Sequence, residues 1–181
     1  MTVGFRPLTD ADLPRLSRWL ATPHVARWWQ EPSDIDSVTA TYGPCIAGED
    51  PTEVFVIEKD GEPIGLIQRY RHDHYPEWER AVGVARAAGI DYLVGEAGLV
   101  GQGLGTAAIA AFAADTLVRY PDVECVVAAP QQANVASWRA LERAGFRRVW
   151  AGMLDSDDPA DAGPAFVYTF ARSVRAPGRS R

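Results

Sequence analysis

The sequence has little of what marks most specialised classes of protein. It holds two cysteines, Cys45 and Cys125, far apart and in no metal-ligand spacing. That speaks against a disulfide framework and fits two free thiols in a reducing compartment. The opening residues, MTVGFRPLTDADL, contain no basic segment followed by an apolar one, so nothing there marks export. No uncharged apolar stretch reaches the length needed to cross a bilayer. A cytoplasmic location without a membrane partner is expected. There is no basic stripe, and the formal net charge is −6. Nucleic acid is therefore not the expected partner, whereas a small cationic molecule suits an acidic surface. His72 and His74 form a His-x-His pair with no third ligand nearby, so no metal is expected. No internal repeat occurs.

What is present is the composition of an ordinary globular domain, 47% hydrophobic and 23% charged over 181 residues. That length buries a real core and predicts one domain, residues 1–172. The tail 173–181 is basic and punctuated by Pro and Gly, which predicts disorder. The assembly expected is a monomer or homodimer.

The hydrophobic pattern sets out the elements in order. TVGFRPLT reads as a strand. TDADLPRLSRWLA reads as a helix capped by Thr9 or Asp10, with Leu13, Leu16 and Leu20 on one face. HVARWWQEP is a brief helical piece stopped by Pro32. SDIDSVTATYG reads as a helix capped by Ser33 or Asp34 and ended at Gly43. TEVFVIEKDGEPIGLIQRYRH is a hairpin turning at Asp60–Gly61. Residues 73–86 read as an irregular cover. AAGIDYLVG is a strand, followed by a glycine-rich loop and a helix to about Tyr120. VECVVAAP is an interior strand. NVASWRALERAGF is a helix capped by Asn134 and ended at Gly145. FRRVWAGML and PAFVYTFAR form a closing antiparallel pair. This order predicts an α+β, mixed-sheet domain and not a doubly wound one.

The loop and helix at 98–112, GLVGQGLGTAAIAAF, carry the sharpest signal. Gly101, Gly103 and Gly105 are spaced G-x-G-x-G, which fails the dinucleotide fingerprint G-x-G-x-x-G. No lysine follows, which excludes a Walker loop. What remains is a turn rich in glycine in front of a helix whose first N–H groups lack internal partners. Such a backbone lets an anion approach closely, and the helix dipole favours it. A tight β–α turn with no ligand satisfies the same residues.

The stretch GQGLGTAAI resembles the acetyl-CoA loop of the GNAT N-acetyltransferase superfamily, and NVASWRALERAGF resembles that superfamily's next motif. Val100 stands where the pattern has Arg or Gln. The order of elements agrees over residues 2–172. The resemblance implies a mostly antiparallel sheet flanked by helices, with two parallel strands splayed into an acetyl-CoA wedge at Tyr92–Gly95 and Val126–Ala129. It implies that backbone from Val100 and Gly101 through Gln102, Gly103, Leu104 and Gly105 to Thr106 holds the pyrophosphate. The pantetheine arm would pair with Tyr92, Leu93, Val94 and Gly95, and Asn134 would complete the cofactor site.

Within the superfamily, HVARWWQEP, GEPIGLIQRY and the GIDYLVG segment resemble the aminoglycoside 6′-N-acetyltransferases, with Trp28–Trp29 and Gly89–Ile90–Asp91 as the matching residues. An amine must lose a proton to attack a thioester, and a carboxylate beside it can attract, orient and deprotonate it. Asp91, the one acid in an otherwise apolar strand, is the candidate for both catalysis and substrate binding. A carboxylate capping a neighbouring element is the plainer reading, and His72 or His74 is the fallback base. At helical spacing one of two adjacent Trp residues points inward, which assigns the ligand-facing role to Trp29. Acids in PSDID, GED, YPEWE and DSDDPADAG could line a site for a polycation, but loop charges are usually solvated. Two departures from the pattern stand out. Ala129 replaces the Asp that commonly binds substrate amines, and Leu141 replaces the Tyr that commonly protonates the leaving thiolate. Two other readings remain open: an acyltransferase for another amine, such as a hydroxylysine precursor of a siderophore, and a non-catalytic acyl-CoA-binding module.

Overall fold

The computed structural model describes residues 2–172. The tail expected to be disordered lies outside them. Seven strands form one sheet: β1 (Val3–Pro7), β2 (Glu53–Lys59), β3 (Glu62–Arg71), β4 (Ala87–Val94), β5 (Cys125–Ala128), β6 (Arg147–Leu154) and β7 (Gly163–Ala171). Their order is β1-β2-β3-β4-β5-β7-β6, antiparallel throughout except for the parallel pair β4·β5. The helices are α1 (Leu13–Leu20), α2 (Pro23–Trp29), α3 (Ile35–Ala47), α4 (Pro76–Val82), α5 (Leu104–Arg119) and α6 (Val135–Arg143).

The alternation of the strands divides the apolar residues between two faces. Ile57, Ile67 and Ile90 pack with Phe112 and Leu117 of α5 and Leu141 of α6. Val54, Val56, Leu66 and Leu93 point the other way, onto Leu16, Trp19 and Leu20 of α1 and Val38 and Tyr42 of α3. A third cluster joins Val82 of α4 to Ala87, Val127, Ala165 and Val167. Asp91 shares its face with Leu93 and Ala87, so it sits in the gap between the second and third clusters.

The hairpin turns at Asp60 and Gly61, both at positive φ, as the type I′ turn requires. Asn134 caps α6 by accepting from the Ser137 N–H. Three expectations need correction. Helix α3 passes through Gly43 and Pro44 and ends at Gly48 (φ +75°). Cys45 and Ile46, beyond the proline, pack against the second cluster, and that burial offsets the one helical bond Pro44 lacks. The start of the first helix is a separate 3-10 turn, Asp10–Asp12, which Thr9 and Asp12 close as a reciprocal capping box. The segment read as irregular cover contains α4, a short helix whose Val82 and Trp78 reach the third cluster.

Candidate active site

The glycine loop is built to leave a helix end open. After β4 the chain makes one 3-10 turn, Ala97–Leu99, and then passes Gly101 (φ +80°) and Gly103 (φ +82°) in the left-handed region. Gly103 is the N-cap of the 16-residue α5 and has no side chain to accept from its first turn, so those N–H groups face outward. Gln102 Nε2 braces the loop on Gly98 O at 2.7 Å. Gly105 is different. A Cβ there would meet only Val94 Cγ2, at an ordinary 3.8 Å. The fold itself does not demand glycine at that position, whereas close approach by a molecule outside the chain would.

The parallel pair opens beside this loop. β4 pairs with β5 at Ala87↔Cys125, Ala88↔Val126 and Gly89↔Val127, and then runs on to Val94 with no strand partner on that edge among the described residues. His24 of α2 takes one of the freed groups, its Nε2 lying 2.9 Å from Val94 O. Tyr92 crosses the opening, its hydroxyl 2.7 Å from Ser137 Oγ in the first turn of α6. An open strand edge beside an unpaired helix N-terminus can take an extended amide chain ending in phosphates.

At the splay lies a cleft into which four carboxylates converge: Glu31, Asp91, Asp158 and Asp161. Among the described residues no Lys or Arg lines it. Asp91 receives Gln68 Nε2 at 3.0 Å. Glu31 accepts from the Tyr42 hydroxyl at 2.8 Å. Among the described residues none of the four acids forms an ion pair. Loss of water, joined by repulsion from its neighbours, raises the pKa of Asp91 and of Glu31. The same causes push Asp161 up to about 7. The cleft continues into a wider cavity of about 1070 Å³ walled by Tyr42, Tyr70, Tyr75 and Trp78 and edged by further acids, including Asp50, Glu77, Asp155 and Asp157.

Of the residues singled out in the sequence, Trp29, Asp91, Tyr92 and Asn134 meet in this one cleft. The loop residues Val100 to Thr106 lie at the far end of the open edge, outside it. Leu93 and Leu104 bury their side chains in the second and first clusters, so only their backbone is available to a ligand. The side chain of Asn134 is partly engaged as the α6 cap. The split between an inward Trp28 and an outward Trp29 does not hold. Both are half-buried and line the cleft, and it is Trp29 that packs on the second cluster and bonds Tyr42. Trp28 carries the Arg27 guanidinium 4.7 Å from its ring centroid. His72 is buried against Val84 O, away from the cleft, and His74 edges only the wider cavity. Ala129 lines the cleft, with Asp158 and Asp161 of the β6–β7 loop in the same space.

Glu31, Gln68 and Ser137 are cleft residues that nothing in the sequence singles out. Of the acid-rich loops that could either line a polycation site or be solvated, DSDDPADAG places Asp158 and Asp161 in the cleft. Two tertiary contacts bring that loop inward: Gln131 Nε2 on Ala160 O at 2.8 Å and Gln30 Nε2 on Pro159 O at 3.4 Å.

Comparison with known proteins bears on the family and the fold. Residues 9–153 match the family described as the acetyltransferase (GNAT) domain. Aminoglycoside N(6′)-acetyltransferase type 1 of Klebsiella pneumoniae is 31% identical over 154 residues, covering 81% of this chain and 75% of that protein. Among solved structures, AAC(6′)-Ib with coenzyme A and kanamycin superposes with a TM-score of 0.76 at 28% identity, covering 94% of this chain and 95% of that one. AAC(6′)-Ib with paromomycin and acetyl-CoA gives 0.77 at 27% identity, covering 95% and 94%.

Proposed function

The chain belongs to the GNAT acetyltransferases, and from that premise we propose that it transfers the acetyl group of acetyl-CoA to the 6′-amine of aminoglycosides, with Asp91 as acceptor-side base and anchor. The observation that carries the substrate class is the convergence of Glu31, Asp91, Asp158 and Asp161 beside the open edge of β4, with no ion pair to any of them among the described residues and Arg80 lining only the adjoining wider cavity. Burying carboxylates without partners is costly, and a ligand rich in ammonium groups supplies the missing charge. A substrate with a single amine, such as a hydroxylysine precursor, leaves most of that charge uncompensated.

The division of labour follows from the geometry. The unpaired N–H groups from Gly103 to Thr106 hold the phosphates, and the edge of Tyr92 to Val94 aligns the arm that carries the thioester. Trp28 and Trp29 offer aromatic faces to the sugar rings. Asp91 draws the ammonium by charge. It then takes a proton, directly or through water, as the nitrogen attacks the carbonyl carbon and the carbon–sulfur bond breaks. Much of the family carries a Tyr on α6 to protonate the sulfur. Here Leu141 lies in the first cluster, and the thiolate, a fair leaving group, is protonated by water.

A thiol-release assay with acetyl-CoA and kanamycin, tobramycin, neamine and lysine-derived amines tests the reading. Aminoglycosides with a 6′-amine should release thiol, and paromomycin, with a hydroxyl there, should not. Release with lysine-derived amines alone would overturn it.

A further inference from the structure

The β3–β4 register sets Gln68 opposite Asp91 and Tyr70 opposite Gly89, all on one face of the sheet. Tyr70 lies flat across Gly89. A Cβ added at residue 89 would stand 2.6 Å from the phenol oxygen and closer still to the ring carbons. Glycine at that position therefore lets the hydroxyl come down onto β4, next to Asp91 two residues on. The ring is held by Tyr75, edge-on with centroids 5.5 Å apart, and by His72, stacked at 6.1 Å. The Trp78 indole N–H is buried and has no hydrogen-bond partner among the described residues. The phenol oxygen lies on the same face of β4 as the Asp91 carboxylate.

We propose that Tyr70 is a positioning residue for Asp91: its phenol, laid across Gly89, works with the Gln68 amide to hold the carboxylate charged and aimed into the cleft. The inference rests on Asp91 being the base. Burial and the Asp91 charge keep the phenol protonated across the working pH range, so it remains a donor. The groups facing Asp91 from other elements are Asp158 and Asp161 of the β6–β7 loop, Glu31 of the α2–α3 connection and Tyr42 of α3, with Tyr92 beside it on its own strand. None of these is a cation, and the β3 groups on the face of Asp91 are the neutral Gln68, which donates to it, and Tyr70.

The test is a carbon-13 NMR titration of side-chain carboxyls in the ligand-free full chain, with the Asp91 signal identified by its loss in Asp91→Asn. In Tyr70→Phe the Asp91 midpoint should rise by about one pH unit, the scale of one hydrogen bond to a charged group. The acidic limb of kcat/KM should move with it, while acetyl-CoA affinity stays as it was. Tyr70→3-fluorotyrosine, nearly isosteric and a stronger donor, should move the midpoint down. An unmoved midpoint in both variants, even with a lowered Tm, makes Tyr70 a packing residue and overturns the proposal. If Asp91→Asn turns over normally, it is the assignment of the base that fails, whatever the titration shows.

Discussion

Two carboxylates of this chain have the same chemistry and opposite surroundings. Asp12, beside β1, is met by Arg6 through both terminal nitrogens at 2.7 Å and by Thr9 through its hydroxyl and N–H. The Arg6 hydrogen bonds bring its pKa down to about 2. Asp161, in the loop over the cleft, has no ion pair among the described residues, and burial together with Asp91 and Asp158 raises it to about 7. At the first position the fold supplies its own counter-charge, so the carboxylate is finished as a structural part. At the second the counter-charge is missing by construction, and the fold holds an incomplete arrangement that a cationic ligand completes. The Glu53–Arg69–Asp115 network repeats the first pattern, and Glu31 and Asp91 repeat the second.

The strongest way to break this contrast is at Asp91. Asp91→Asn keeps the volume and much of the Gln68 contact but removes charge and basicity. Turnover should fall by roughly 10²–10⁴, with acetyl-CoA affinity nearly intact by calorimetry. Raising the pH should recover part of the rate, because more of the amine arrives unprotonated. Near-normal turnover at neutral pH would place the base elsewhere.

The structural member should fail differently. Asp12→Asn leaves the half-buried Arg6 with Glu58 alone and should cost about 2 kcal/mol of stability, or roughly 4–8 °C in Tm at this chain length. Its kcat/KM should equal that of the parent at 25 °C. A kinetic defect without a loss of Tm would erase the distinction between the two kinds of acid.

How much of this difference could be read from the sequence follows from the range of the interactions. The hairpin at Asp60–Gly61, the Asn134 cap and the loop-to-helix step at Gly103 are local, and the residues themselves disclose them. Asp91 was legible because an acid in an apolar strand breaks a pattern. Asp158, Asp161 and Glu31 break none, since acids in loops are ordinary. Only the contacts of Gln131 and Gln30 with the β6–β7 loop turn them inward. Helix α4 was missed for a related reason. Seven residues carry too little periodicity to be seen, and its Val82 gains meaning from a cluster of distant strands.

Asp161 offers a finer test, because there the two properties of an unfinished site pull apart. Asp161→Asn should raise the KM for kanamycin by roughly 3–10-fold, the scale of one partly screened ion pair, with kcat little changed. The effect should shrink in high salt. Unlike Asp12→Asn, it should not destabilise the free protein at pH 8, because it removes a charge that has no partner. A lowered Tm at that pH would mean that Asp161 already has a structural partner.

The smallest effect, and the one that sees both kinds of acid in a single curve, is the dependence of stability on pH. For Asp12 the folded pKa lies below the ordinary value of 3.8, so its contribution is present above about pH 4 and is lost as the pH falls toward about 2. For Asp161 the sign reverses. Between 3.8 and about 7 the folded chain keeps a proton that the unfolded chain has released, so each step up in pH costs stability until the folded group ionises too. Asp91 and Glu31, also raised, act in the same direction. By scanning calorimetry these acids should therefore raise Tm as the pH is lowered from 8 to 5, against the opposing pull of the buried His72, which the fold keeps from charging, and Tm should fall below pH 4. Asp161→Asn should flatten the upper slope and leave the lower one, and Asp12→Asn should do the reverse. Saturating kanamycin at pH 8 should stabilise the parent more than it does at pH 5, because the ligand supplies the charge that the ionised cleft lacks. Equal stabilisation at the two pH values would mean that the cleft carboxylates are not what the ligand's ammonium groups meet.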